Sequence, residues 1–254
     1  MWNPVCPGRP LEGMSASPNF PPSRSVATAP PMLHRSIAMT FAAAWLILPF
    51  MAHATAAKPA AAHRKKVLYV YNDTKLEQAR AADPADLKRI TTLTTWRDND
   101  EKTMAYLRSL GFIVTGATEA SPLEATRNQD LVIISESVDA IDVGAKYRYI
   151  TIPLLTFEND LRGELGLQNV LADEHCKMNW GKPGLGAVTI ATLRGEPDEA
   201  AIFAYEKGTT INGEFLAPAR RVSFFLWQDT FDPLRPEGLA LFRAAVLWSI
   251  TTPE

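Results

Sequence analysis

The sequence predicts one α/β domain, three layers deep, in which a mostly parallel sheet is covered by helices on both faces. Three observations predict it. Continuous apolar, β-branched runs recur at 67–71 (VLYVY), 130–137 (DLVIISES) and 152–157 (IPLLTF), the pattern of strands buried on both sides. Helical stretches alternate with these runs in the first half of the chain, which calls for crossover connections and parallel pairing. Further strand patterns at 187–193, 200–206 and 221–227 lie closer together, which predicts a partly antiparallel extension.

Before the domain come three segments without such patterns. Residues 1–31 are rich in proline and serine and read as a disordered leader, or as sequence upstream of the true start. Residues 32–54 have the layout of a secretory signal peptide: Arg35 at the positive end, an apolar core from Ile37 to Met51, and the small-x-small triplet Ala52-His53-Ala54. That layout predicts a periplasmic or secreted protein. The alternative is a span left uncut, since ~20 apolar residues cross a bilayer; it is the one membrane contact expected. Residues 55–66 form an Ala/Lys-rich tether, and 67–252 make the single domain.

Within the domain, the first strand ends at Asn72-Asp73. Residues 74–97 are polar and admit a helix from Pro84 to Leu93. Asp98 reads as the cap of another helix, with Met104, Leu107 and Leu110 on one face and Gly111 at its end. A second strand spans 112–118, and a third turns polar at Ser135. Asp139 to Tyr149 is a short helix, and the fourth strand is IPLLTF. Asp160 starts a helical turn that stops by Gly166, and residues 168–187 read as loop. After three more strands, Pro236 opens an amphipathic helix with Leu239, Phe242, Ala245, Val246 and Ser249 along one side.

Composition narrows the function. Hydrophobic residues make up 46% and charged residues 21% of the 254 positions, with a formal net charge of −2. Residues 1–54 carry Arg9, Arg24 and Arg35 against Glu12, so the chain without them is more acidic still. No basic run exceeds Arg64-Lys65-Lys66, which argues against a nucleic-acid partner. Cys6 falls in the leader, leaving Cys176 alone and no internal disulfide. His63, His175 and Cys176 have no zinc spacing, and no Asp-rich calcium loop is present. GKPGLG at 181–186 lacks the strand–loop–helix context of a phosphate loop. No metal and no cofactor are expected.

Four stretches carry a resemblance: LVIISESVDAIDVGAKYRYITIPLLTFEND, NWGKPGLGAVTIATLRGEPDEAAIFAYEKG, APARRVSFFL and GLALFRAAVLW. Together they resemble secreted bacterial domains of the class I glutamine amidotransferase-like superfamily, close to its trehalose-utilisation (ThuA-like) branch. The resemblance implies a flavodoxin-like sheet with a site at the carboxyl ends of the strands. Against that pattern, residues 74–97 look inserted. The chain looks short between Gly166 and Asn179, where relatives carry a His-Pro pair. Glu158 falls where active glutaminases have their cysteine, and FFLWQD offers Trp227, Gln228 and Asp229 in place of the histidine. Thioester chemistry needs a thiolate and a base, and Cys176 beside His175 makes a poor dyad because neighbours on extended chain point opposite ways.

Glu158 is the candidate catalytic group, a carboxylate able to bind sugar hydroxyls or act as a base; the plain alternative is a loop-edge carboxylate tied to backbone N–H groups. Ser135 and Ser137 are candidate ligand contacts, with strand termination the alternative. Asp73 is a candidate at the same rim, or a turn starter. Glu206, Lys207 and Arg221 are candidates at a sheet rim; a salt bridge holding the 208–219 excursion is the alternative, and Arg221, if buried, is a candidate to orient Glu158. Asp142 and Lys146 have the spacing of an i,i+4 ion pair. Trp180 either stacks on a sugar or packs over the core edge. The expected function is a non-catalytic exported domain that binds a small polar ligand such as a carbohydrate. The alternatives are a carbohydrate-active hydrolase or isomerase using Glu158, and a structural or protein-partner role in the cell envelope.

Overall fold

A computed structural model of the chain describes residues 11–12 and 64–251, apart from 166, 168–169, 174–177, 194 and 214. The signal-peptide segment, most of the leader and tether, His175 and Cys176 lie outside the described residues.

The strands are β1 (Leu11–Glu12), β2 (Lys66–Val70), β3 (Ile113–Ala117), β4 (Leu131–Ile134), β5 (Leu154–Thr156), β6 (Val170–Asp173), β7 (Met178–Gly181), β8 (Val188–Leu193), β9 (Glu196–Tyr205), β10 (Thr210–Asn212), β11 (Phe215–Leu216) and β12 (Arg221–Ser223). The helices are α1 (Lys75–Ala82), α2 (Leu87–Ser109), α3 (Ala140–Val143), α4 (Leu161–Glu164) and α5 (Pro236–Ile250).

Ten strands form one mixed sheet. Its parallel part has the order β3-β2-β4-β5-β12, and the register aligns the carboxyl ends: Val70 lies beside Ala117 and Ile134, Ile134 beside Thr156, and Thr156 beside Ser223. Numbered along the chain, these parallel strands stand in the order 2-1-3-4-5. The antiparallel extension is β9 against β12 and β8 against β9, with the β6–β7 hairpin joined at Gly181–Ala200. Leu11 and Glu12 pair with Leu193 and Thr192 on the outer edge of β8.

The apolar runs explain why these strands are central. Successive side chains point to opposite faces, and every residue of β4 and β5 is buried. Val67, Tyr69, Leu131 and Ile133 pack on one face with Met104 and Leu107 of α2 and Phe242 and Val246 of α5. Leu68, Val70, Val132 and Ile134 pack on the other face with Val143 of α3 and Leu161 of α4. The domain is therefore α/β, with a mixed sheet and helices on both sides.

Three sequence expectations need correction. Residues 74–97 hold α1 and the first half of α2. Asp98 caps nothing: α2 runs unbroken for 23 residues from Asp86, whose side chain accepts the N–H of Arg89. The expected loop over 168–187 contains the β6–β7 hairpin. At the far end, α5 starts with proline as expected and buries Phe242, Val246 and Ser249. Among the described residues no helix is long and apolar enough to cross a membrane.

Candidate functional site

The parallel strands stop together, so the segments leaving them converge on one rim: Asn72-Asp73 after β2, Ser135–Ser137 after β4, and Phe157-Glu158 after β5. Both serines turn their hydroxyls inward. Ser135 Oγ donates to Asp100 Oδ1 at 2.5 Å, and Ser137 Oγ donates to Asp100 Oδ2 at 2.6 Å. Tyr69 Oη donates to Asp100 Oδ1 at 2.8 Å. Asp100 comes from the middle of α2 and is 3% exposed. Burial pushes its carboxyl up from 3.8 to about 6, opposed by the hydrogen bonds from Ser135, Ser137 and Tyr69, with the charge of Glu119 adding a rise. Burial first, and the Asp100 charge second, raise the Tyr69 phenol well above its ordinary value.

A second buried carboxylate, Glu119 after β3, accepts from Asn72 Nδ2 at 2.6 Å and from the Asp139 N–H at 2.9 Å. Lys75, at the start of α1, donates to the carbonyls of Ser137 and Val138 at 3.0 and 3.2 Å. Farther along the rim, Asn179 of β7 is fully buried. Its Nδ2 faces Glu136 Oε2, Phe157 O and Leu226 O, each at 2.8 Å. One side chain thus ties together the segments that leave β4, β5 and β12.

Glu158 is 4% exposed, and its Oε1 accepts the N–H of Asp160 at 2.9 Å. This is the contact expected of a loop-edge carboxylate. Asp73 is exposed on the same rim.

The structure does not bring Glu206, Lys207 and Arg221 to this rim. Arg221 begins β12 and pairs with Leu154, the first residue of β5, so it stands at the opposite end of the sheet from Glu158. It is fully buried and donates to the carbonyls of Ile150 at 2.7 Å and of Ile152 and Arg220 at 3.1 Å. Burial lowers its guanidinium from 12.5 to about 10. It orients backbone and cannot reach Glu158. Glu206 follows β9, which runs antiparallel, and pairs bidentately with Arg220 at 2.7 and 3.1 Å. Glu206 also edges an apolar groove of about 310 Å³ between β8, β9 and α5. Lys207 sits exposed in the adjoining turn. Two further expectations change. Lys146 donates to the carbonyls of Glu119 and Ser121, not to Asp142. Trp180 is 7% exposed and packs in the core, so it offers no sugar face.

Two cavities adjoin the rim. A void of about 10 Å³ lies between Asn72, Ser137, Leu93, Trp96 and Arg97, enough for one water. Beside it, an open cleft of about 530 Å³ lies between α1, α2 and the start of α3, lined by Lys75, Gln78, Lys88, Arg89, Trp96 and Asp139 among others. Glu158 lines neither. Asn72, Lys75, Trp96, Asp100, Glu119 and Asn179 went unpredicted. Only Asp100 left a signal: it falls on the stripe Leu93–Trp96–Asp100–Met104–Leu107, a lone acid at helical spacing among apolar residues.

No group of three or more His, Cys, Asp or Glu side chains suited to a metal occurs among the described residues. Those residues include neither cysteine nor histidine. Neither a scan of protein-family models nor a search of curated proteins returns a match for this chain.

Proposed function

We propose that this protein is an exported, amidotransferase-like domain that binds a small polar ligand, such as a carbohydrate, in the cleft between α1 and α2 and does not hydrolyse glutamine. One observation carries the reading. The cleft lies outside the carboxyl ends of β2 and β4, with Lys75 following the first strand and Asp139 the second. In the order 2-1-3-4-5, shared with flavodoxin-like sheets, that is where the strand order reverses and where open α/β sheets bind ligands. Its lining mixes an aromatic wall with charged and amide groups, as a polyhydroxylated ligand requires. The signal-peptide layout of residues 32–54 supports export. Glu158 after β5, tied to the Asp160 N–H, supports the loss of thioester chemistry.

The test is a thermal-shift screen of the purified protein against neutral and charged monosaccharides and disaccharides, followed by Glu158→Gln. Binding that survives Glu158→Gln, with no turnover in either protein, supports a binding domain. Turnover lost only in the variant makes Glu158 catalytic. Ammonia released from glutamine sinks the proposal.

A further inference from the structure

Three cations line the α1–α2 cleft without a carboxylate partner. Lys88 and Arg89, in the first turn of α2, are exposed, and neither forms an ion pair with a described residue. Lys75 enters from α1, and only the carbonyls of Ser137 and Val138 hold its ammonium. Elsewhere, Arg80 and Arg97 both pair with Glu77, Lys102 with Asp232, Lys65 with Asp130 and Arg220 with Glu206. Other described cations, among them Arg108, Arg127 and Lys207, also form no ion pair with a described residue, but Lys88 and Arg89 are adjacent on the α2 wall and Lys75 lines the same cleft from α1.

The two carboxylates on the cleft offset part of that charge but pair with none of the three cations. Asp86 accepts the Arg89 N–H at the start of α2, at 3.0 Å. Asp139 accepts the Ile141 N–H at the start of α3, also at 3.0 Å. Each is turned to a helix end, and the cationic side chains are left to the opening. Trp96, half-buried against Leu76, Ala79 and Leu93, lines the same cleft and gives a sugar ring an aromatic partner beside Lys88 and Arg89.

Resting on the cleft assignment above, we infer that the ligand is an anionic sugar: a monosaccharide ring carrying a carboxylate or a phosphate. The anion lies toward Lys88 and Arg89, the hydroxyls toward Gln78 and Asp139, and the ring against Trp96. Arginine and lysine beside each other suit either anion, since the guanidinium fork binds two oxygens and the ammonium adds a point charge.

Isothermal titration of the full protein with glucuronate, glucose 6-phosphate and glucose tests this. One of the two anionic sugars should bind at least roughly tenfold more tightly than glucose, the gain expected of one or two charge-assisted hydrogen bonds. The tighter of the two names the anion. That advantage should vanish in the Lys88→Ala/Arg89→Ala variant and shrink as salt is raised. Both residues are exposed, so the variant should keep the wild-type melting temperature, and it should lose far less affinity for glucose than for the anionic sugar. Glucose binding as tightly as both anionic sugars overturns the anionic assignment and leaves the cleft standing. An anion preference that survives the double variant overturns the assignment to Lys88 and Arg89. If none of the three sugars binds, both the assignment and the cleft reading fall.

Discussion

At Asp100 a carboxylate that is 3% exposed meets three hydroxyl donors, and its titration should be visible in stability. Its folded value, about 6, lies above the ordinary 3.8. The protonated form therefore favours the fold: that contribution is complete below about pH 4 and is lost as pH rises through 6. A shift of this size corresponds to at most about 3 kcal/mol. Asp100→Asn cannot titrate and leaves one oxygen for three hydroxyls, so it should be destabilised by about 1–3 kcal/mol. The deficit should be largest near pH 4 and narrow toward pH 7.5. Denaturant titrations of both proteins across that range check the sign, and a deficit that grows with pH refutes it. This residue also shows why the rim was only half legible. Ser135 and Ser137 could be read as strand-end groups, but their inward turn depends on an acid some 35 positions away on another element.

Among the elements, α5 is fastened at its carboxyl end by Arg220. The guanidinium donates to the carbonyls of Trp248 and Thr251, each at 2.5 Å, and stacks on the Trp248 ring at 4.3 Å. Cations are favoured there because the last carbonyls of a helix lack partners. Arg220→Ala should cost about 2–3 kcal/mol. Glu206→Gln, which breaks only the half-exposed ion pair, should cost under about 1 kcal/mol. Equal losses in the two variants, measured by urea unfolding, would mean the ion pair and not the helix end carries the effect. Elements with uninterrupted apolar runs, such as β2, β4 and β5, were legible because burial on both faces leaves a one-dimensional trace. The unbroken α2 was not, since Asn99, Asp100 and Thr103 are polar yet buried, and their partners lie on other segments. Nor was the position of Glu206: it does end its strand, but β9 runs antiparallel, so that end lies at the far edge of the sheet. Strand direction belongs to pairing, which spacing alone does not encode.

For the whole molecule, the two apolar layers share a single sheet, so damage to one should be felt by both. Phe242 is fully buried, with rings of Tyr106, Phe157, Phe224 and Phe231 about 6 Å away, centroid to centroid. Phe242→Ala should cost about 3–5 kcal/mol. It should lower a single cooperative transition, seen alike by circular dichroism and by hydrogen exchange at Leu161 and Tyr147 on the opposite layer. Separate transitions for the two layers would refute that coupling.

The small apolar cluster of Leu76, Ala79 and Leu93 stands apart from both main layers. It is the chief apolar anchor of α1 among the described residues, whereas α2 continues from there into the main core through Met104 and Leu107. The two walls of the cleft are thus unequal: one is a rod rooted in the body of the protein, the other a short flap on a weak latch. Opening the flap would part the Leu76, Ala79 and Leu93 contact, the Glu77–Arg97 pair and the Lys75 bonds to the Ser137 and Val138 carbonyls, while the opposite wall keeps its place.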